Sequence, residues 1–309
     1  MVEKSIRSLP SSTVSIPDWI GIVTVTYNSA EVLPDFFASI AAQTYRNSTL
    51  YVVDNASKDR TLEMCQERSG LPLVLIANET NLGVAEGNNQ GIRAALEDGC
   101  EFVLLLNNDT VFDGKLIAGL LDGLHQHRCH MTTPKIYYHD DPRKIWAAGG
   151  YFQRWLGYRP AHYGAEHEDR GQFEAVRTVN YAPTCCVLIH RSVFESIGIM
   201  DPLYFVYSDD VDFMYRALKA GMVIKYLPSC TMKHKVSSLT GGSVSPFTMR
   251  YCTRNRVYFL LKNLSSPVAA FWIAAYRFYL FLRFASRRDS REILHFKRTA
   301  LREGQQMRP

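Results

Sequence analysis

Asp109 stands at the end of LLLNNDT (residues 104–110), where an apolar strand runs into two amides and an acid. A core has no use for such side chains, and strand tips are where open α/β sheets keep their ligands. The Asp109 carboxylate could hold Mg²⁺ or Mn²⁺, hard cations that take carboxylate, water and phosphate oxygens. Neutral Asn108 beside it makes a weaker site than paired acids would. His234 in MKHKVSS, just past the apolar run 223–227, is the candidate second ligand, and its imidazole suits Mn²⁺ better than Mg²⁺. Asp54 closes the run 50–53 and could accept hydrogen bonds from a pyrimidine N–H or a ribose hydroxyl, or cap the turn that follows. Tyr27, at the tip of the first strand, could stack on a base or simply pack. In YFVYSDDVDF three acids, Asp209, Asp210 and Asp212, open a helix. Capping and the helix dipole explain at least one of them; another, facing the same cleft, could act as a general base.

The elements that must position these residues are legible as alternating strands and helices. Residues 20–26 form a β-branched run, followed by a helical pattern through Val32, Phe36, Phe37 and Ile40. Residues 50–53 repeat the theme, with Ser57 or Asp59 available to cap a helix from about Thr61. Strands at 73–77 and 102–106 flank a helix over roughly 85–96. Continuous rather than alternating apolar runs imply a parallel sheet covered on both faces, with every polar tip on one edge. From Pro134 the pattern changes to short strands and aromatic loops, then a strand at 186–189 and helices over 191–197 and from about Asp210, as expected of a mixed sheet that extends the first half. Residues 268–284 are the most apolar stretch, interrupted by Arg277 and short of the ~20 residues a bilayer span needs. They read as a helix packed on the domain or a partner subunit, or as an interfacial helix meeting anionic headgroups.

Several classes lose their support. The segment NLGVAEGNNQG (81–91) fits neither the dinucleotide fingerprint nor the P-loop. Seven cysteines show no CxxC pair and no zinc spacing, in keeping with a reducing cytoplasm. The net charge of +5 is concentrated late, against a nucleic-acid surface running over the whole protein. The first 19 residues lack the apolar core of a signal peptide and read as a lead-in.

Taken in order, VTVTYNS, VVDNASKD, NLGVAEGNNQG, LLLNNDT, CCVLIHRSVFESIGIMDPLYFVYSDDVDF and a later His resemble the family-2 glycosyltransferases of GT-A fold over roughly residues 20–256. The resemblance implies an α/β GT-A catalytic domain over 20–256, with a Rossmann-like nucleotide-binding half (20–110), an acceptor-binding half (111–256) and a mixed central sheet. A basic helical extension follows over 257–309. It further implies inverting transfer of a sugar from a nucleotide diphosphate donor to a hydroxyl, with a divalent metal, Mn²⁺ or Mg²⁺. By position, Thr26, Tyr27, Asn28, Asp54, Asn81 and Asn108 would serve the nucleotide, Asp109 and His234 the metal or diphosphate, and Asp210 would be the catalytic base. Asp209 and Trp146 would serve the acceptor or a support role. KIWAAGG, VNYAPTCCVLIHRSVF and YCTRNRVYFLLKN look most like bacterial rhamnosyltransferases that build O-antigen, capsule or cell wall. That implies a dTDP-rhamnose donor ahead of a UDP-sugar, a glycan or lipid-linked acceptor, and a cytoplasmic enzyme with a possible peripheral membrane contact. The competing readings are a sugar-phosphate nucleotidyltransferase, whose Gly-rich triphosphate loop VTVTYNSAEVL does not provide, and a non-catalytic nucleotide-sugar-binding module.

Overall fold

A computed structural model describes residues 18–67, 72–236 and 245–308. The lead-in expected over 1–19 falls almost wholly outside them. Strand β1 (Ile20–Thr26) pairs in parallel with β2 (Ser48–Asp54) on one side and β4 (Phe102–Leu106) on the other, and β3 (Leu73–Ala77) adds to β2. Helices α1 (Leu33–Ala41), α2 (Thr61–Gln66) and α3 (Gly83–Glu97) make the crossovers. Along β1 and β4, alternate side chains enter two separate cores. Val23 and Leu105 point to one, Ile22 and Leu104 to the other, which is why these strands read as continuous apolar runs.

Chain geometry explains the differences from the expected elements. α2 begins at Thr61 with Arg60 at the cap position. Ser57 is drawn onto Asp54, while Asp59 accepts the Thr61 amide at 3.0 Å from one position further out. α3 starts two residues early, at Gly83, whose φ of +85° and contact with Phe205 leave no room for a Cβ. Gly87 and Gly91 lie against Val25 and Val23, so the glycines of this segment let α3 pack directly onto β1.

The second half comprises β5 (Thr110–Phe112), α4 (Leu116–Gln126), β6 (Met131–Tyr138), β7 (Ile145–Ala147), β8 (Gly150–Gln153), β9 (Arg159–His162), β10 (Arg177–Val179), β11 (Cys186–His190), α5 (Arg191–Ile197), α6 (Asp209–Lys219) and β12 (Ile224–His234). All but the β8–β9 hairpin join the first sheet, giving ten strands with the main order β10-β12-β6-β11-β4-β1-β2-β3. β11 runs antiparallel between β4 and β6, so the expected mixed sheet is present. His234 is the last residue of β12 rather than a residue beyond it. The strand shifts register between Leu227 and Thr231, around Pro228, which has no N–H for the ladder, and continues until His234 pairs with Thr110 on β5. Three helices complete the described chain: α7 (Pro246–Asn263), which runs unbroken through residue 256, α8 (Ser266–Ala285) and α9 (Arg291–Gln306). α8 carries the apolar stretch, yet it buries only Ala269, Ile273 and Leu280.

Candidate active site

The parallel strands deliver their polar tips to one edge, and β1 and β2 are stitched together there. Asp54 is buried at the end of β2. Its Oδ1 accepts from Thr26 Oγ1 at 2.8 Å and from Ser57 Oγ at 2.5 Å, and its Oδ2 accepts from the Ser57 amide at 3.0 Å. Asp54 therefore does cap its turn, and one acceptor position, on Oδ2, is left for a ligand. Asn28 sits in the left-handed region (φ +52°); its amide donates to Ser57 Oγ and its Oδ1 accepts from the Lys58 amide. Tyr27 between them is 41% exposed, a free ring face at the sheet edge. Asn81 accepts from the Gly83 amide and turns the chain into α3. The next two amides, of Val84 and Ala85, go to the Phe205 carbonyl, so this helix start is committed to packing.

Beside it, Asn108 Nδ2 donates to the Val25 carbonyl at 2.7 Å and ties the tip of β4 to β1. That bond aims Asp109 at the end of β12. Asp109 Oδ1 and His234 Nε2 lie 3.1 Å apart, both side chains largely buried. His234 Nδ1 has no hydrogen-bond partner among the described residues. A buried carboxylate beside a buried imidazole with one nitrogen unsatisfied suits a divalent cation. Among the described residues no third Asp, Glu, His or Cys joins them. Two protein donors fit an ion that takes its remaining ligands from diphosphate and water.

The second acid group opens α6. Asp212 is fully buried and structural: Tyr204, Arg216, Lys262 and Asn263 all donate to it. Asp209 and Asp210 differ from it in forming no ion pair with a cation among the described residues. Burial first, and then the charge of Asp210, push the Asp209 carboxyl up to about 7. Burial also raises Asp210, but the Tyr181 hydroxyl donates to its Oδ2 and the Val211 amide to its Oδ1, and both bonds favour its ionised form. When the pair holds a single proton, Asp209 keeps it and Asp210 is the charged, proton-accepting member.

A run of ring contacts joins the two acid groups. The Trp146 ring meets His234 edge to face at 4.8 Å and His162 at 4.6 Å. His162 stacks on Tyr181 at 5.7 Å, and Tyr181 bonds Asp210. Cys185, whose carbonyl accepts the Asn107 amide, feels the charges of both Asp109 and Asp210. Desolvation pushes His162 down to about 4, so it is a neutral spacer near pH 7. Trp146 thus lies between the His234 and His162 rings. Tyr181 and His162 carried no sequence signal, being single residues in short strands and loops. Asn255 was missed too: buried within α7, its Nδ2 donates to the carbonyls of Tyr204, Val206 and Tyr207. Those bonds span a turn in which Phe205, Tyr207 and Ser208 all have positive φ immediately before Asp209.

Residues 21–198 match the profile of the family described as Glycosyl transferase family 2. The chain belongs to that family. It is 28% identical over 211 residues to the low-salt glycan biosynthesis hexosyltransferase Agl10 of Haloferax volcanii, covering 67% of this chain and 64% of that one, just under two thirds of that relative. It is also 28% identical over 244 residues to the N-acetylglucosaminyl-diphospho-decaprenol L-rhamnosyltransferase of Mycobacterium tuberculosis, covering 72% and 78% of the two chains. Among solved structures, S. aureus TarS 1-349 in complex with UDP-GlcNAc superposes with a TM-score of 0.58 at 18% identity, covering 93% of this chain and 80% of that one. GalNAc-T7 with UDP, GalNAc and Mn²⁺ gives 0.59 at 16%, covering 78% and 49%. The fold of this family-2 glycosyltransferase chain is thus the GT-A fold expected from its motifs.

Proposed function

We propose that the protein transfers a sugar, with inversion, from a nucleotide diphosphate donor to a hydroxyl of a glycan or lipid-linked acceptor, L-rhamnose from dTDP-rhamnose being the first choice and a UDP-sugar the second. The observation that carries this reading is the contact path from the Asp109–His234 pair through Trp146, His162 and Tyr181 to Asp210. That path supports reading the pair as the diphosphate-facing group and Asp210 as the proton acceptor of one sugar-transfer site. Rhamnosyltransferases among the relatives support the choice of donor.

In this reading the donor base lies against Tyr27 and Asp54, and the diphosphate lies near Asp109 and His234. A divalent cation held by those two residues would neutralise the charge that builds on the departing diphosphate. Asp210 takes the proton of the acceptor hydroxyl as that oxygen bonds to the anomeric carbon and the bond from that carbon to the phosphate oxygen breaks. Asp209 is buried and is not read as a second, nucleophilic carboxylate, so in this reading a single displacement inverts the centre.

Two measurements test this. In a thermal-shift series of nucleotides with and without Mn²⁺, dTDP or UDP should raise Tm more than GDP or ADP, by mass action on the folded state; no shift with any nucleoside diphosphate would remove the donor site. Asp210→Asn should lose roughly 10²–10⁴-fold in turnover, the range of a general base, while that nucleotide shift survives. A nearly active variant would end the assignment.

A further inference from the structure

We propose that α8 and the tip of the β8–β9 hairpin form one surface that beds into an anionic membrane interface, with α8 lying along the bilayer rather than through it. α8 is 20 residues long with a mean hydropathy of 1.3, sufficient by length and composition to cross a membrane, and only 17% of it is buried. Its exposed side is an uncharged stripe at helical spacing: Val268, Phe271, Ala274, Phe278, Phe281 and Leu282. Phe271 and Phe278 are 63% and 60% exposed and belong to a contiguous apolar face rather than standing singly. The opposite side is tied to the domain. Ala269, Ile273 and Leu280 are buried, Arg277 donates to Gln305 on α9, and Arg283 pairs with Asp289 at 2.7 Å. A span would have to break each of these and draw two arginines into hydrocarbon.

The hairpin extends the stripe. Trp155, 69% exposed, and Leu156 stand at its tip. The next residue, Gly157 (φ +62°), lies against Trp272 of α8 so closely that a Cβ would collide. Arg256 of α7 clamps the same turn by donating to the Leu156 and Gly157 carbonyls at 2.7 and 2.8 Å. Trp272 in turn touches the exposed Phe271 ring. The tip and the stripe therefore form one continuous aromatic surface, the type of side chain that settles at a headgroup boundary.

Charge identifies the occupant. Residues 266–309 hold nine of the basic residues against three acids, so the rest of the chain sums to −1 although the whole carries +5. Arg287 and Arg288 follow the stripe directly, exposed and with no ion pair among the described residues. Basic side chains flanking an apolar stripe complement anionic headgroups. The docking stands on these residues alone. Its use, in presenting a lipid-borne acceptor, rests on the sugar-transfer reading, and the geometry provides the link: Phe152 on β8 packs against Tyr181, which holds Asp210.

The test is co-sedimentation of the full chain with vesicles, without nucleotide, so its result is independent of whether the protein is a transferase. Vesicles of phosphatidylcholine mixed with phosphatidylglycerol should bind the protein about tenfold or more tighter than phosphatidylcholine alone, and added salt should weaken the difference. The pair Phe278→Glu and Phe281→Glu should cut binding by about tenfold or more, and so should Arg287→Glu with Arg288→Glu, with circular dichroism and Tm unchanged. Should the α8 pair fail to fold, Trp155→Ser and the arginine pair read the same surface. No binding to anionic vesicles, or binding that these variants leave intact, overturns the proposal. A concentration-dependent dimer in lipid-free solution that Phe278→Glu dissolves, without vesicle affinity, would assign the face to a second copy of the chain and overturn it as well.

Discussion

Two carboxylates on adjacent residues, both withdrawn from water, resist carrying two charges, and that resistance leaves a measurable trace in Asp209. Its folded carboxyl is raised to about 7, so the proton it keeps stabilises the folded chain below about pH 4, and that contribution is lost as pH rises through about 7. Measured against Asp209→Asn, stability should fall across this window by an amount on the order of a few kcal/mol and level off above it, while His162, held down to about 4, adds the opposite slope to both proteins. Denaturant titrations of both proteins from about pH 5 to 8 read that difference; identical slopes in the two would mean another group is responsible. Tyr181 makes the opposite kind of contribution. Its hydroxyl favours the charged form of Asp210, so Tyr181→Phe should move the acid limb of the kcat/KM profile to higher pH, with the donor KM unchanged and much of the rate regained in alkali. If the rate falls uniformly at all pH values, Tyr181 has a different role. Asp210 was visible in the sequence because three acids exceed what one helix start needs, and Asp109 because amides and an acid make an odd end to an apolar strand. Tyr181 and His162 were not, since nothing in one aromatic or one imidazole distinguishes packing from a hydrogen bond to a base.

At the scale of elements, the proposed base depends on a turn that the backbone does not favour. Phe205, Tyr207 and Ser208 all take positive φ, a cost of order 1–3 kcal/mol each unless the surroundings impose it. The Phe205 carbonyl is held by the first amides of α3, and the Tyr204, Val206 and Tyr207 carbonyls by Asn255. Asn255→Ala would leave the Val206 and Tyr207 carbonyls without that donor, costing roughly 1–3 kcal/mol of stability, and should lower kcat by more than it changes the donor KM; equal effects on both would mark Asn255 as merely structural. The parallel half of the sheet was legible because strands buried on both faces read as unbroken apolar runs at helical intervals. The far half was legible only at β11, α5 and the start of α6. β7 to β10 are three or four residues long, too short to show a period, and Pro228 reads as the end of β12, although the strand resumes beyond it and brings His234 to Asp109.

Over the whole molecule, the proposed catalytic groups, drawn from distant parts of the chain, are braced by helices that come last in the sequence. α9 looks like an appendage, but it lies along α7. Gly304 on α9 sits so close to the Arg254 carbonyl that a side chain there would collide. Arg254 donates to the Leu203 and Tyr204 carbonyls and braces the Oδ1 of Asn255 at 2.8 Å. Gly304→Val should therefore lower Tm and, through Arg254 and Asn255, transferase turnover more than nucleotide affinity, as nucleotide titration and initial rates on the same preparation would show. This glycine also has a practical consequence for handling the protein. A rigid fusion or a protease trim near residue 304 acts within two helices of the proton acceptor, so a preparation shortened there could fold, bind nucleotide and still register in an assay as a dead enzyme.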